Sequence, residues 1–278
     1  MRQKIFLTVA LLCIVAQEAW AQIPDPTVYD DVWDGHSTSK PEYYEGWEDY
    51  NPAYEGYNNV YLIKKASELA YVRDHFKSFD RSSLLLLANL DMGAVSWIPM
   101  GNNKGDITTY WGTFYGNGHT ITATITDNNN QGTALFSYIN GATIKNLKVA
   151  GTINSNQYHA ATIVGLSKGT GNSIVNCAAT ANVNGNEYVG GILGHAVDSD
   201  ISMSGCTFSG LMTGGSKFLG AFIGWGDSGT RKVTDCLYIM QDGQDTRNLE
   251  LVKNGGNLSI TNCYKTTSAL MPSAQASS

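Results

Sequence analysis

Tyr158, Tyr188 and Phe218 lie thirty residues apart, and each opens the same phrase. The three versions are Tyr158-His-Ala-Ala-Thr-Ile-Val-Gly, Tyr188-Val-Gly-Gly-Ile-Leu-Gly and Phe218-Leu-Gly-Ala-Phe-Ile-Gly. A second phrase answers them downstream: Val175-Asn-Cys, Ser204-Gly-Cys, Thr234-Asp-Cys and finally Thr261-Asn-Cys. A unit of this size is too small to bury its own apolar face, so its copies must stack. The repeat therefore predicts a solenoid, not a globular enzyme core.

Within each unit, apolar runs of four to six residues alternate with Gly and Asn, the pattern of short strands and turns. The expected fold is all-β, a right-handed parallel β-helix in which each rung rises ~4.8 Å. A bladed propeller is the competing repeat architecture, but its units run ~40–50 residues. The repeats are expected over 107–264, with rungs near 131–157, 158–187, 188–217 and 218–248 and a partial one to about Tyr264. Before them, Gly112 to Thr122 holds a strand, an Asn117-Gly118 turn and a second strand. Asn176, Gly205, Asp235 and Asn262 immediately precede the cysteines, and Asn146 precedes Leu147 at the equivalent place. These residue types tolerate a left-handed backbone. One bend, repeated in every rung, follows.

An open solenoid end exposes unpaired strand edges. Residues 59–106 read as an N-terminal cap of strand, helix and strand. Val60-Tyr-Leu-Ile forms the first strand. Leu69, Val72, Phe76 and Phe79 mark a helix over Ala66 to Phe79, with Ser67 as its N-cap. Ser83-Leu-Leu-Leu-Leu is a buried strand, and Trp97-Ile-Pro-Met a further short one. Ahead of the cap, residues 22–58 lack periodicity and are rich in Tyr, Trp and acidic residues, so an irregular leader is expected. The Ser- and Ala-rich tail, 265–278, offers no matching C-terminal cap.

Residues 1–21 read as a secretory signal peptide. Arg2 and Lys4 precede an apolar stretch, 5–16, that is too short to span a bilayer, and Ala19-Trp20-Ala21 forms the cleavage site. Its removal takes Cys13 with it and reduces 278 residues to 257. The product is expected to be secreted or held at the cell surface, with no membrane span. Of 18 basic and 24 acidic residues, 16 and 23 then remain. Residues 22–61 hold nine of those acidic residues and one basic residue, Lys40, so the rest of the chain is close to neutral. Nucleic acid needs a basic face, which a body of this charge lacks.

Tyr188-Val-Gly-Gly-Ile-Leu-Gly, with Asn176-Cys177 and Asn262-Cys263-Tyr264, resembles the GLUG repeat of bacterial surface proteins, which also occurs beside some immunoglobulin A proteases. Tyr61-Leu-Ile-Lys, Ala66-Ser-Glu-Leu-Ala, Trp97-Ile-Pro-Met-Gly and Gly112-Thr-Phe-Tyr-Gly-Asn-Gly-His-Thr-Ile are similar to the opening of secreted repeat proteins of Bacteroidetes-type bacteria. The resemblance covers roughly 60–264. Gly-Gly becomes Ala160-Ala161 in one rung and Gly220-Ala221 in another. The resemblance implies a secreted or surface-exposed β-helix of a group whose members often have an adhesive or unknown role, and it implies no catalytic residues.

Several motifs look like chemistry. Gly165-Leu-Ser-Lys-Gly169 matches a nucleophile elbow, and Gly226-Asp-Ser-Gly229 the core of a serine-protease signature. Gly165, Gly194 and Gly224 are equivalent repeat positions, so both motifs are expected in the turn after one strand. His36, His75, His119, His159 and His195 are scattered, with no His-Glu-x-x-His, and His159 reads as an ordinary surface residue. Asp198, Asp200 and Asp227 are weak calcium candidates on one edge, with Lys168 and Arg231 as basic neighbours in register. Solvated turn residues are the simpler reading of those carboxylates, and no metal or other cofactor is expected.

Cys177, Cys206, Cys236 and Cys263 occupy one column. Side chains one rung apart sit ~4.8 Å apart, against the ~3.8 Å Cβ separation of a disulfide. A structural ladder of free thiols is favoured over the pairs 177–206 and 236–263. A straight column does not surround zinc.

The expected function is non-enzymatic: an adhesin-like protein that binds glycans, host matrix or another cell-surface protein along one face, as a monomer or as part of a larger array. Trp225, placed in a turn where other rungs have His195 and Leu166, is the leading contact residue. Trp111 and Tyr115 follow, with Trp33 and Trp47 in the aromatic leader, because such rings stack on the apolar faces of sugars. The alternatives are a polysaccharide lyase or hydrolase on the same fold, and a structural stalk or segment of a larger adhesin.

Overall fold

The computed structural model describes residues 31–46, 57, 59–102, 105–127, 131–214, 218–246, 249–253 and 255–267. They form a parallel β-solenoid of about six turns with one α-helix. Two sheets of ten and fifteen strands run its length. In the rung that begins at Tyr188, strands Tyr188–Gly190 and Leu193–Ser204 belong to the larger sheet, and Thr207–Phe208 and Met212–Gly214 to the smaller.

Stacking places like on like, and the core is a set of continuous columns. Ile121, Val149, Ala179, Phe208 and Tyr238 form one, with the Phe208 and Tyr238 rings stacked at 5.7 Å. Phe114, Ile144, Ile174, Met203 and Val233 form another. All of these are fully buried. Each side chain is covered above and below by its equivalents, which is why no single rung is stable alone.

The bend before the cysteine column is left-handed in every rung. Asn146, Asn176, Gly205, Asp235 and Asn262 have φ values of 55°, 50°, 62°, 55° and 52°. Each carries the chain from the larger sheet into the smaller. The strands on either side of Asn117-Gly118, Thr113–Tyr115 and Thr120–Thr126, likewise lie in different sheets and do not pair with each other. A second irregularity is a bulge inside strand Val164–Val175, where the register against Leu193–Ser204 shifts at Lys168–Asn172. Gly169 and Gly171 supply its positive φ values, and Asp198 the one in the next rung.

At the N-terminal end the leader is not irregular throughout. Asp31–Val32 pairs in parallel with Leu90–Asp91, and Glu42–Tyr44 pairs antiparallel with Val60–Ile63. The helix is shorter than its spacing predicts. It runs Ala66–Asp74 and is followed by a 3-10 turn, Phe76–Ser78. Ser67 lies inside the first turn and does not cap it. The acceptors come from Glu68, whose Oε2 takes the Lys64 and Lys65 N–H groups at 2.6 and 3.0 Å, and from Asp31, whose Oδ2 takes that of Ala66 at 2.6 Å. Residues 97–101 make single bridges, Trp97 to Ile125 and Met100 to Phe136, in place of a strand.

Near the other end, the Gln244 side chain acts as a strand. Its Oε1 accepts from Met212 N at 2.8 Å, and its Nε2 donates to Met212 O at 2.9 Å. The ladder through Asn182–Gly185 and Met212–Gly214 is closed there.

Candidate binding site

Two columns of the larger sheet come together along one crease. Gly132, His159, Tyr188 and Phe218 are in register in the first. Tyr138, Leu166, His195 and Trp225 are in register in the second. The glycine that closes each repeated phrase explains their closeness. A Cβ on Gly224 would lie 2.7 Å from the backbone of Val189, and one on Gly194 would lie 3.1 Å from the backbone N of Ala160. Only glycine admits this approach.

The rings interleave across the crease. Tyr188 stacks on Phe218 at 5.0 Å and on His195 at 4.5 Å. Phe218 meets Trp225 at 4.4 Å, and His159 contacts both Tyr188 at 5.1 Å and His195 at 4.8 Å. Tyr188, Phe218 and Trp225 are partly exposed, and the adjacent Tyr158 is 46% exposed. Asp227 ties the cluster together. It accepts from His195 Nε2 at 3.0 Å and from the Trp225 indole N–H. Because an ionised carboxylate only accepts, His195 carries its proton on Nε2 and keeps a lone pair on Nδ1. That Nδ1 is buried without a hydrogen-bond partner, as is Nδ1 of His159. Burial and the neighbouring His195 push the His159 pKa down to about 3. Burial also lowers that of His195, although Asp227 opposes the shift.

Sequence reasoning reached this site only in part. His159 is 7% exposed, not a surface histidine, and it occupies the column position that the thirty-residue spacing gave to Tyr158. Trp225 lies within strand Phe218–Gly226, not in a turn, and is partly buried. Trp33 is buried in the cap. Its indole N–H donates to Ser37 O at 2.8 Å, its ring meets Trp97 edge-on at 5.5 Å, and Arg73 covers both rings. Trp111 is exposed, with the Arg81 guanidinium 5.0 Å above its ring. Tyr115 is half-buried between the Lys145 ammonium at 4.6 Å and Tyr57 at 5.0 Å. Among the described residues, no ring contact joins Trp111 or Tyr115 to the crease. Trp47 lies outside the described residues.

The motifs that resemble chemistry are absorbed into the scaffold. Gly165 to Gly169 lies in strand Val164–Val175, not in a turn after it. Ser167 is fully buried, and its hydroxyl is 3.0 Å from that of Ser199. Ser228 binds the carboxylate of Asp198, with no histidine in contact. The carboxylates proposed for calcium are each engaged separately: Asp198 by Ser228, Asp200 by the Thr230 N–H at 2.7 Å, and Asp227 by His195 and Trp225. They form no cluster, and among the described residues no group of three His, Cys, Asp or Glu side chains converges as a metal site. Of their basic neighbours, Arg231 is fully buried and donates to the backbone oxygens of Asp227 and Ser228 at 2.9 and 2.5 Å.

The four cysteines form one column of free thiols, with Cys177, Cys206 and Cys236 fully buried and Cys263 partly so. Each sulfur donates to the backbone oxygen two residues before it, at 3.2–3.4 Å. Burial pushes the Cys206 thiol well up, the Cys206 thiol raises that of Cys236, and the Cys236 thiol raises that of Cys263.

The fold has a counterpart of known structure. A Bacteroides ovatus protein described as a "putative immunoglobulin A1 protease" superposes with a TM-score of 0.54 over 74% of this chain and 75% of that one, at 17% identity. That likeness establishes a shared β-solenoid architecture. No protein-family model matches the chain, and no curated protein matches it. Among the described residues, no helix is long and apolar enough to cross a membrane.

Proposed function

We propose that the chain is an exported, non-catalytic bacterial surface protein that binds glycans along the crease. The observation that carries this reading is the run of partly exposed rings, Tyr188, Phe218 and Trp225, with the half-exposed carboxylate of Asp227 beside them. Ring faces and edges suit the C–H faces of sugars, and a carboxylate suits their hydroxyls. Tyr188 and Phe218 stand at equivalent positions of successive rungs, so a linear glycan along the crease meets both in sequence.

The likeness of Tyr188-Val-Gly-Gly-Ile-Leu-Gly to the GLUG repeat supports membership of that group of surface proteins. Residues 1–21, which lie outside the described residues, support export. The protease name belongs to the structural counterpart, and two features of this chain favour the non-catalytic reading. The His195–Asp227 pair has no nucleophile in hydrogen-bond contact among the described residues, and the sequence holds no His-Glu-x-x-His.

The test is binding of residues 22–278 to arrays of glycans and of host-matrix proteins, compared with Tyr188→Ala and Trp225→Ala. A saturable glycan signal lost in both folded variants supports the reading. A signal on matrix protein alone moves the ligand class to protein. A blank array on folded protein favours a structural segment.

A further inference from the structure

The two ends of the solenoid are finished differently. At the N-terminal end, the antiparallel strand Glu42–Tyr44 interrupts the parallel stack, and the Lys64–Glu42 ion pair (2.6 Å) charges that edge. The helix Ala66–Asp74 covers the core with Leu69 and Val72. At the other end, Gln244 closes one ladder. The ladders beside it stop at Asn257–Thr261 and Tyr264–Thr267, and among the described residues no strand pairs with their far edges.

That last rung exposes what every earlier rung buries. Ile260 continues the column of Ile174, Met203 and Val233, which are fully buried, yet it is 40% exposed. Leu258 continues the column of Ile201 and Arg231 and is 39% exposed. These are core side chains without a covering rung. Of the two edge strands, Asn257–Thr261 lacks the devices that normally block strand addition, whereas Tyr264–Thr267 keeps one in Lys265. Residues 254–264, Asn-Gly-Gly-Asn-Leu-Ser-Ile-Thr-Asn-Cys-Tyr, include no charge and no proline.

We propose that this end is a self-association surface, on which a second copy of the chain docks tail to tail with its Asn257–Thr261 strand antiparallel to the first. A twofold antiparallel pairing sets the edge against a second copy of itself, so an edge carrying charge of one sign would repel. An uncharged edge with two apolar side chains is self-complementary. Pairing satisfies the open backbone groups and covers Leu258 and Ile260. A twofold contact uses this surface once on each chain, so association through it stops at two.

Sedimentation velocity of residues 22–278 in reductant, over a range of micromolar concentrations, tests this. The expected result is a dimer that dissociates on dilution. Leu258→Lys and Ile260→Lys, both at exposed positions, should weaken it about tenfold or more while leaving the circular dichroism spectrum, and the thermal midpoint at dilutions where the parent is also monomeric, unchanged. A monomer at every concentration overturns the proposal, as does a dimer indifferent to both lysines. A chain that dimerises only after residues 268–278 are removed also overturns it, and assigns the surface to the chain's own tail. None of these outcomes depends on glycan binding.

Discussion

Gln244 pairs with Met212 through both atoms of its side-chain amide, at 2.8 and 2.9 Å, as an adjoining strand would. Gln244→Ala leaves a buried N–H and C=O of Met212 without partners, each costing about 1–3 kcal/mol. The expected loss is about 2–6 kcal/mol in equilibrium urea denaturation. Gln244→Glu should not rescue it, because its second oxygen faces the Met212 carbonyl. A variant as stable as the parent would show that this contact does not close the ladder.

Acid should destabilise the fold through the crease. The unfolded chain protonates His159 near pH 6.5, and the folded one only near pH 3. Protons therefore bind the unfolded state first. The stabilisation from His159 is full above pH 6.5 and declines as the pH falls toward 3. His195 acts in the same direction, weakened by Asp227. Between pH 7 and pH 5 the His159 share amounts to about 2 kcal/mol. In His159→Phe, which matches Phe218 in the same column, that share should vanish. Denaturation curves at the two pH values measure it.

The left-handed bend should discriminate among substitutions. Asn176→Gly should be close to neutral, because φ of 50° suits glycine. Asn176→Val should cost about 1–2 kcal/mol from backbone strain alone. Gly205→Ala should also be destabilising, since the new Cβ would meet the Asn176 side chain in the rung below. Urea midpoints of the three variants give the order.

The thiol column should be chemically quiet. A thiolate is the reactive form, and Cys206, Cys236 and Cys263 all have raised pKa values. Native residues 22–278 should react slowly with a thiol reagent, Cys263 first because it alone is partly exposed. After denaturation without reductant, all four thiols should titrate. Fewer than four would mean that cysteines pair.

What the sequence made legible was local to one rung or repeated between rungs. The bend at Asn176, Asp235 and Asn262 could be read because a left-handed residue is restricted by its own side chain. The cysteine column could be read because its phrase repeats. The thirty-residue spacing misplaces Tyr158 because rungs differ in length. Cys177 and Cys206 are 29 residues apart and Cys206 and Cys236 are 30, and the shorter spacing sets His159 opposite Tyr188. The cap of the helix was not legible, because Asp31 reaches Ala66 from 35 residues away. Trp33 looked like surface for the same reason: only the pairing of Asp31–Val32 with Leu90–Asp91 reveals that it is enclosed. Trp225 reads as a turn residue from spacing alone, because spacing does not show that the strands of this sheet run on toward the bulge.

The left-handed bend sits at the same place in every rung, so neighbouring rungs meet through equivalent surfaces. A duplicated unit would slot between two others without rerouting the chain. It would lengthen the body by ~4.8 Å and add one more ring to the crease. Reach is thus a property that this architecture can change by copying alone.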